Sequence, residues 1–311
     1  MGTRIDAASA LTSHRLRKPT ARGLAAAATR SCLTLAGRAP GDVDMLINAG
    51  VYREDNIGEP ALAALIQEDV GANLGQPPTG GHGTFSFDLA NGTCGVISAI
   101  QVEAGLLQSG VIRLGAVVTS DVCPDAQPPG TARFQPAGGA LLLSQDDRMA
   151  GFTGFHTQTF PEFAGLFVSR LVWQQRRRTG APHRVAGRSQ MVIDERPGYQ
   201  ARLVDCAEEA THRFLRRMGL GIGDIDLLIP APAVAEFVDG LRARLGVPGD
   251  RVAFTPEDLA GTHTTAPIAA LQAAIRSERL GEARNVLLLA AGAGITVTLA
   301  LYCQAPPEPG G

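Results

Sequence analysis

Cys94 stands in the stretch FSFDLANGTCGVISAIQVEAGLLQSG, residues 85 to 110, where the residue pattern changes period. Phe85, Phe87 and Leu89 alternate as the apolar side of a half-buried strand, Ala90 to Thr93 are small turn formers, and Ile97, Ile100 and Leu107 give a following helix its buried face. The thiol therefore falls at a helix N-terminus. There the partial positive charge of the helix favours a thiolate, and the next backbone N–H groups can hold an oxyanion, as a nucleophile attacking a thioester requires. A packed structural thiol is the other reading of the same position, because free cysteines are more often buried than reactive.

The elements that must position this turn are repeated. ATRSCLTLAGRAPGDVDMLI, residues 28 to 47, aligns without a gap on ATHRFLRRMGLGIGDIDLLI, residues 210 to 229. Each copy reads as an amphipathic helix, a Gly-containing turn, a GD(V/I)D lead-in and an apolar strand. TCGVISAIQVEAGLLQSGVIRLGAVV and TTAPIAALQAAIRSERLGEARNVLLL then both read as loop, helix, short link and buried strand, with SAIQ facing AALQ. The chain is expected to be an α/β sandwich of two similar halves with a parallel-rich sheet in each. Residues 1–150 form the expected N-terminal half and 191–311 the C-terminal half. The stretch 151–190, Phe-rich and ending in the predicted helix PEFAGLFVSRLVWQQRRR, is expected to be an insertion capping the active-site side.

Composition limits the partners. The 311 residues are 45% hydrophobic and carry a net charge of -2, which calls for neither a nucleic acid nor an anionic membrane and leaves small molecules or proteins. The N-terminal sequence has no apolar signal core, and no stretch of about 18 uncharged apolar residues follows, so a cytoplasmic location is expected. Cys32, Cys94, Cys123, Cys206 and Cys303 are odd in number and lack CxxC spacing, which predicts free thiols and no metal site.

FDLANGTCGVISAIQVEAGLLQSG, with GDVDMLINAG upstream, FQPAGGALLL downstream and VLLLAAGAGITVTLAL near the C-terminus, resembles the thiolase superfamily, and within it 3-oxoacyl-ACP synthase III. The resemblance covers about residues 25–150 and 195–303. It implies a thiolase-like αβαβα fold, a homodimer, and an acyltransferase that takes an acyl group from CoA or acyl carrier protein onto Cys94, for Claisen-type condensation in fatty-acid, polyketide or other secondary metabolism. The Gly292, Ala293, Gly294 loop would supply a backbone oxyanion donor. No bound cofactor is implied.

The chain also departs from the family pattern. Where the family carries a His and an Asn, LIPAPAV and AGTHTT place Ala231 and Thr262. The pair that serves decarboxylation is thus absent, and His263 in the second loop is the candidate to replace part of it as a base; a structural loop histidine is its other reading. Simple transfer to an alcohol or amine, or a noncatalytic thiolase-like subunit of a heterodimer, stays open beside condensation. LINAGVYREDNIGEPALAALIQEDVGANL resembles the matching region of the acyl-CoA condensing enzyme of bacterial olefin biosynthesis. That likeness makes Glu59 the counterpart of a carboxylate that enters the partner subunit's site and removes an α-proton. Its alternative is a helix cap just before Pro60. Arg176, Arg177 and Arg178 are candidates for CoA phosphates or an acidic carrier protein, or for a solvated helix end. His82 reads as a surface histidine.

Overall fold

The computed structural model describes residues 2–12, 19–54, 58–75, 82–123, 134–146, 150–176 and 186–304. In chain order the first half contains β1 (Gly2–Thr12), α1 (Ala21–Ala36), β2 (Met45–Asn48), α2 (Leu62–Val70), β3 (Phe85–Asp88), α3 (Gly95–Gln108), β4 (Leu114–Asp121) and β5 (Ala137–Asp146). The second contains β6 (Gly151–Thr159), β7 (Phe167–Arg176), β8 (Ala186–Glu195), α4 (Tyr199–Arg217), β9 (Leu227–Ala231), α5 (Ala235–Leu245), α6 (Ala266–Arg276), β10 (Asn285–Gly292) and β11 (Thr296–Cys303).

The repeated segment folds alike in both copies, and its polar residues explain why. After α1 and α4 the chain reverses at Gly37 (φ 64°) and Gly219 (φ 71°), in the left-handed region that glycine enters without a Cβ clash. The first Asp of each GD(V/I)D lead-in closes a short 3-10 turn: Asp42 accepts from Ala39 N at 2.8 Å and Asp224 from Gly221 N at 2.8 Å. The second Asp ties down the start of the neighbouring parallel strand. Asp44 Oδ2 accepts from Arg113 N (2.6 Å) and Leu114 N (3.2 Å), and Asp226 Oδ2 accepts from Arg284 N and Asn285 N (2.9 Å each).

Two sheets result, ordered β1-β5-β4-β2-β3 and β6-β11-β10-β9. Each is mixed rather than parallel-rich: β2 pairs parallel with β3 and β4, and β9 parallel with β10, while β4-β5-β1 and β10-β11-β6 run antiparallel. The reason is connection length, since β10 joins β11 through three residues, too few for the crossover that a parallel neighbour needs. Strand alternation then sends side chains into different layers. Met45 and Ile47 of β2, with Leu227 and Ile229 of β9, meet Ile97, Ile100, Ile268 and Leu271 of α3 and α6 in one central cluster. Leu46 turns outward to α1 and α2, and Leu228 to α4 and α5. The molecule is therefore five layers deep, αβαβα, with α3 and α6 sandwiched between the sheets.

The stretch 151–190 differs from its expected form. Gly151–Thr159 is not part of an insertion but the outer strand of the second sheet, paired with β11. The helix expected over 161–178 is instead a 3-10 segment, Pro161–Leu166, followed by β7, which pairs with β8 as a separate ribbon. Phe167, Ser169 and Trp173 share one side of that strand by register, and the partner ten residues further on outweighs the helical spacing of Phe163 and Phe167. Among the described residues, no helix is long and apolar enough to cross a membrane.

Candidate active site

The turn that carries Cys94 is gripped from three sides. A 3-10 turn, Gly92–Cys94, leads into α3, and Cys94 is the residue before its first turn. Gly95 lies against Ala49 at the end of β2, where a Cβ would come within 3.2 Å of the Ala49 oxygen. On the opposite side Thr93 Oγ1 donates to Ala291 O at 2.5 Å. A methyl group on Gly292 would lie 2.7 Å from Thr93 Oγ1 and 3.8 Å from Cys94 Sγ, so the loop after β10 approaches the thiol this closely because it is glycine. Gly292, Ala293 and Gly294 (φ 99°) thus lie beside Cys94, with Ala293 exposed at the tip.

The thiol itself is 1% exposed. Its sulfur faces two carbonyl oxygens, Thr296 O at 3.4 Å and Ala290 O at 3.6 Å. Burial pushes it up to about 11, against the opposing pull of hydrogen bonds from Thr298 and Thr93. At rest Cys94 is a thiol, not the thiolate that a helix N-terminus alone would suggest. Attack on a thioester therefore needs a group that takes its proton.

Ala231, where the resemblance puts a histidine, ends β9 and stands in register with Ala290. Its methyl offers no proton chemistry. Thr262 is buried, and its hydroxyl has no hydrogen-bond partner. His263 faces the first half: Nδ1 lies 3.5 Å from Asp121 Oδ2, at ion-pair rather than hydrogen-bond distance, and the ring packs on Tyr52 (5.1 Å) and Phe134 (5.9 Å). No contact between this imidazole and Cys94 is present among the described residues. Asp121 is a site residue that the sequence reading missed. Fully buried at the end of β4, it accepts from Val51 N, Tyr52 N, Thr264 N and Thr264 Oγ1. Burial would raise its carboxyl, but His263, Thr264 and Tyr52 outweigh it and hold the group below the usual range. It is an anion that fastens the His263 loop to the residues following β2.

Glu59 is exposed and does not cap α2. The helix begins at Leu62, and Asp88 of β3 caps it from outside, accepting from Leu62 N and Ala63 N at 2.7 Å each. Glu59 thus stands three residues before a helix start that β3 holds, with no capping duty. His82 is largely exposed, 3.5 Å from Asp44. Arg176 ends a strand rather than a helix, which removes the helix-end reading, and Arg177 and Arg178 lie outside the described residues. All five cysteines are free.

With the geometry in place, the likeness to known proteins can be stated. Residues 215–303 match the family described as 3-Oxoacyl-[acyl-carrier-protein (ACP)] synthase III C terminal. Beta-ketoacyl-[acyl-carrier-protein] synthase III of Sphingopyxis alaskensis is 27% identical over 281 residues, 88% of this chain and 80% of that protein. Among solved structures, 3-oxoacyl-[acyl-carrier-protein] synthase III from Aquifex aeolicus superposes with a TM-score of 0.80 at 17% identity, over 97% of this chain and 100% of that one. OleA from Xanthomonas campestris gives 0.78 at 15% identity, over 98% and 99%. A likeness spread over both halves, on a duplicated αβαβα frame with a cysteine turn under a Gly-Ala-Gly loop, makes this chain similar to 3-oxoacyl-ACP synthase III in sequence and in fold.

Proposed function

We propose that the protein is a condensing acyltransferase that accepts an acyl group on Cys94 from a CoA or carrier-protein thioester and passes it to a carbon nucleophile. The observation that carries this reading is the packing of the Cys94 turn beneath the 292–294 loop, fixed by Thr93, Gly95 and Gly292. An α3 N-terminus and a Gly-rich loop around one sulfur supply backbone N–H groups for an oxyanion. Relatives named beta-ketoacyl-[acyl-carrier-protein] synthase III support the same class of reaction.

His263 is the base in this scheme. Asp121 holds one side of its ring, leaving Nε2 to take the proton from the buried thiol or from substrate. With Ala231 in place of the family histidine, condensation would begin by proton removal instead of decarboxylation, and Glu59 of a second subunit is the proposed carboxylate. The test is CoA release from acyl-CoAs of several chain lengths, followed with wild type and with His263→Ala. Turnover should fall by about 10²-fold or more; an unchanged rate would make His263 a structural loop residue. Release without a condensed product would favour simple acyl transfer, the reading that the missing His and Asn support.

A further inference from the structure

Asp121 has more donors around it than acceptor sites. A carboxylate offers about four lone-pair positions, two on each oxygen. Oδ1 accepts from Val51 N at 3.1 Å and Tyr52 N at 2.8 Å, and Oδ2 from Thr264 N at 2.9 Å and Thr264 Oγ1 at 2.5 Å. His263 Nδ1 is a fifth claimant. It stands 3.5 Å from Oδ2, buried and without a hydrogen bond among the described residues. Tyr52 and Phe134 pack on its ring at 5.1 and 5.9 Å between ring centres, so the imidazole stays on the Asp121 side.

The four bound donors differ in how they can let go. Three are backbone N–H groups and move only with the segment after β2 or the loop before α6. The fourth, the hydroxyl of the buried Thr264, leaves by turning about one side-chain bond. An Nε2 that takes up a proton requires the hydrogen of the neutral imidazole to be on Nδ1. At rest that N–H stands beside an oxygen whose positions are full. Once the ring is an imidazolium the balance changes, because a buried cationic N–H without an acceptor costs more than a buried neutral hydroxyl without one.

We propose that Thr264 is a positioning residue for His263: its hydroxyl holds the Asp121 site that Nδ1–H needs, and yields it when the imidazole takes the proton of Cys94. The proton passes from Sγ to Nε2, and on Oδ2 one hydrogen-bond donor replaces another. The ring is thereby fastened to the end of β4 only while it carries the proton. The inference rests on His263 being the base, but its test needs no acyl substrate.

The probe is the ¹⁵N resonance of His263 Nδ1 in the full-length protein, read through the carbon-bound ring protons and identified among six histidines by its loss in His263→Ala. Thr264→Val vacates the site while keeping the branched shape and the backbone bond. On the basic side of the His263 titration it should displace Nδ1 downfield from its wild-type position, through the new bond to Asp121; on the acid side, where both proteins hold that bond, the two should coincide. Thr264→Ser keeps the hydroxyl and should follow wild type on both sides. Thr264→Ala carries the same expectation as Thr264→Val and replaces it where that variant does not fold. Coincidence with wild type on the basic side, an equal displacement in Thr264→Ser, or a wild-type Nδ1 that bears no proton there would overturn the proposal. Unchanged turnover in His263→Ala would instead remove the proposed base, while the donor exchange on Asp121 stands or falls by these spectra.

Discussion

A thiol buried between two carbonyl oxygens is slow to ionise, and the position of Cys94 in the sequence did not reveal this. FSFDLANGTCG reads correctly as strand, turn and helix, so the placement at the α3 N-terminus was legible. The carbonyls of Ala290 and Thr296 arrive from the other half of the chain, 196 and 202 residues away, and no local pattern encodes them. The same holds for Asp121, whose donors are 69 to 143 residues distant. Glu103 is a third residue of this kind. It is fully buried on α3, its carboxyl fits over Gly115, and neither oxygen makes a hydrogen bond of ordinary geometry. Burial raises it well above the usual carboxylate range, outweighing the backbone N–H of Ala116. Between the ordinary and the raised value, the folded chain keeps a proton that the unfolded chain has released. Stability must therefore fall as pH rises, by about 1.4 kcal/mol per unit across that window. Glu103→Gln removes the titration, and its advantage over wild type in urea midpoint should widen from pH 5 to pH 9. A constant difference across that range would mean that the carboxyl finds a partner on folding.

The pieces that carry the site are short, and their contacts are tighter than their sequences suggest. The two lead-ins, with Asp42 and Asp44 in one half and Asp224 and Asp226 in the other, could be aligned by eye because each Asp makes the same local bonds in both copies. The β7–β8 ribbon could not, since PEFAGLFVSRLVWQQRRR carries apolar residues at both helical and alternating spacings and its fate depends on the following strand. The join between the Cys94 turn and the end of β10 is the contact on which the chemistry depends most. Gly292→Ala would press a methyl against Thr93 Oγ1 and push the turn away from the loop. A displacement of about 1 Å costs about 10²-fold in rate, whereas overpacking costs about 1–3 kcal/mol of stability. Acylation of Gly292→Ala should fall by that factor in protein that still unfolds cooperatively. Wild-type acylation would show that the loop does not set the position of the sulfur.

For the molecule as a whole, the duplication and the layered fold were readable because a repeat enforces the same alternation twice, while the edges of the sheets point beyond one chain. Strand β3 ends the first sheet, and Phe85 on it is 63% exposed. Glu59 stands three residues before Leu62, where Asp88 of that strand holds the start of α2. Two copies joined along β3 would bury the edge and bring Glu59 of one toward Cys94 of the other. Glu59→Gln should then form the acyl-Cys94 intermediate without condensing it, and mixing it with Cys94→Ser should restore activity, because some heterodimers hold one intact pair. Mixed dimers verified by mass that stay inactive would separate Glu59 from the chemistry. The acylation and condensation expectations all depend on the acyl group residing on Cys94. Tandem mass spectrometry of proteolytic peptides after incubation with acyl-CoAs tests that directly: the acyl mass should sit on Cys94 in wild type and be absent from Cys94→Ser, which keeps the fold because Ser and Cys differ little in size. An adduct on another residue, or equal labelling of Cys94→Ser, would contradict the account.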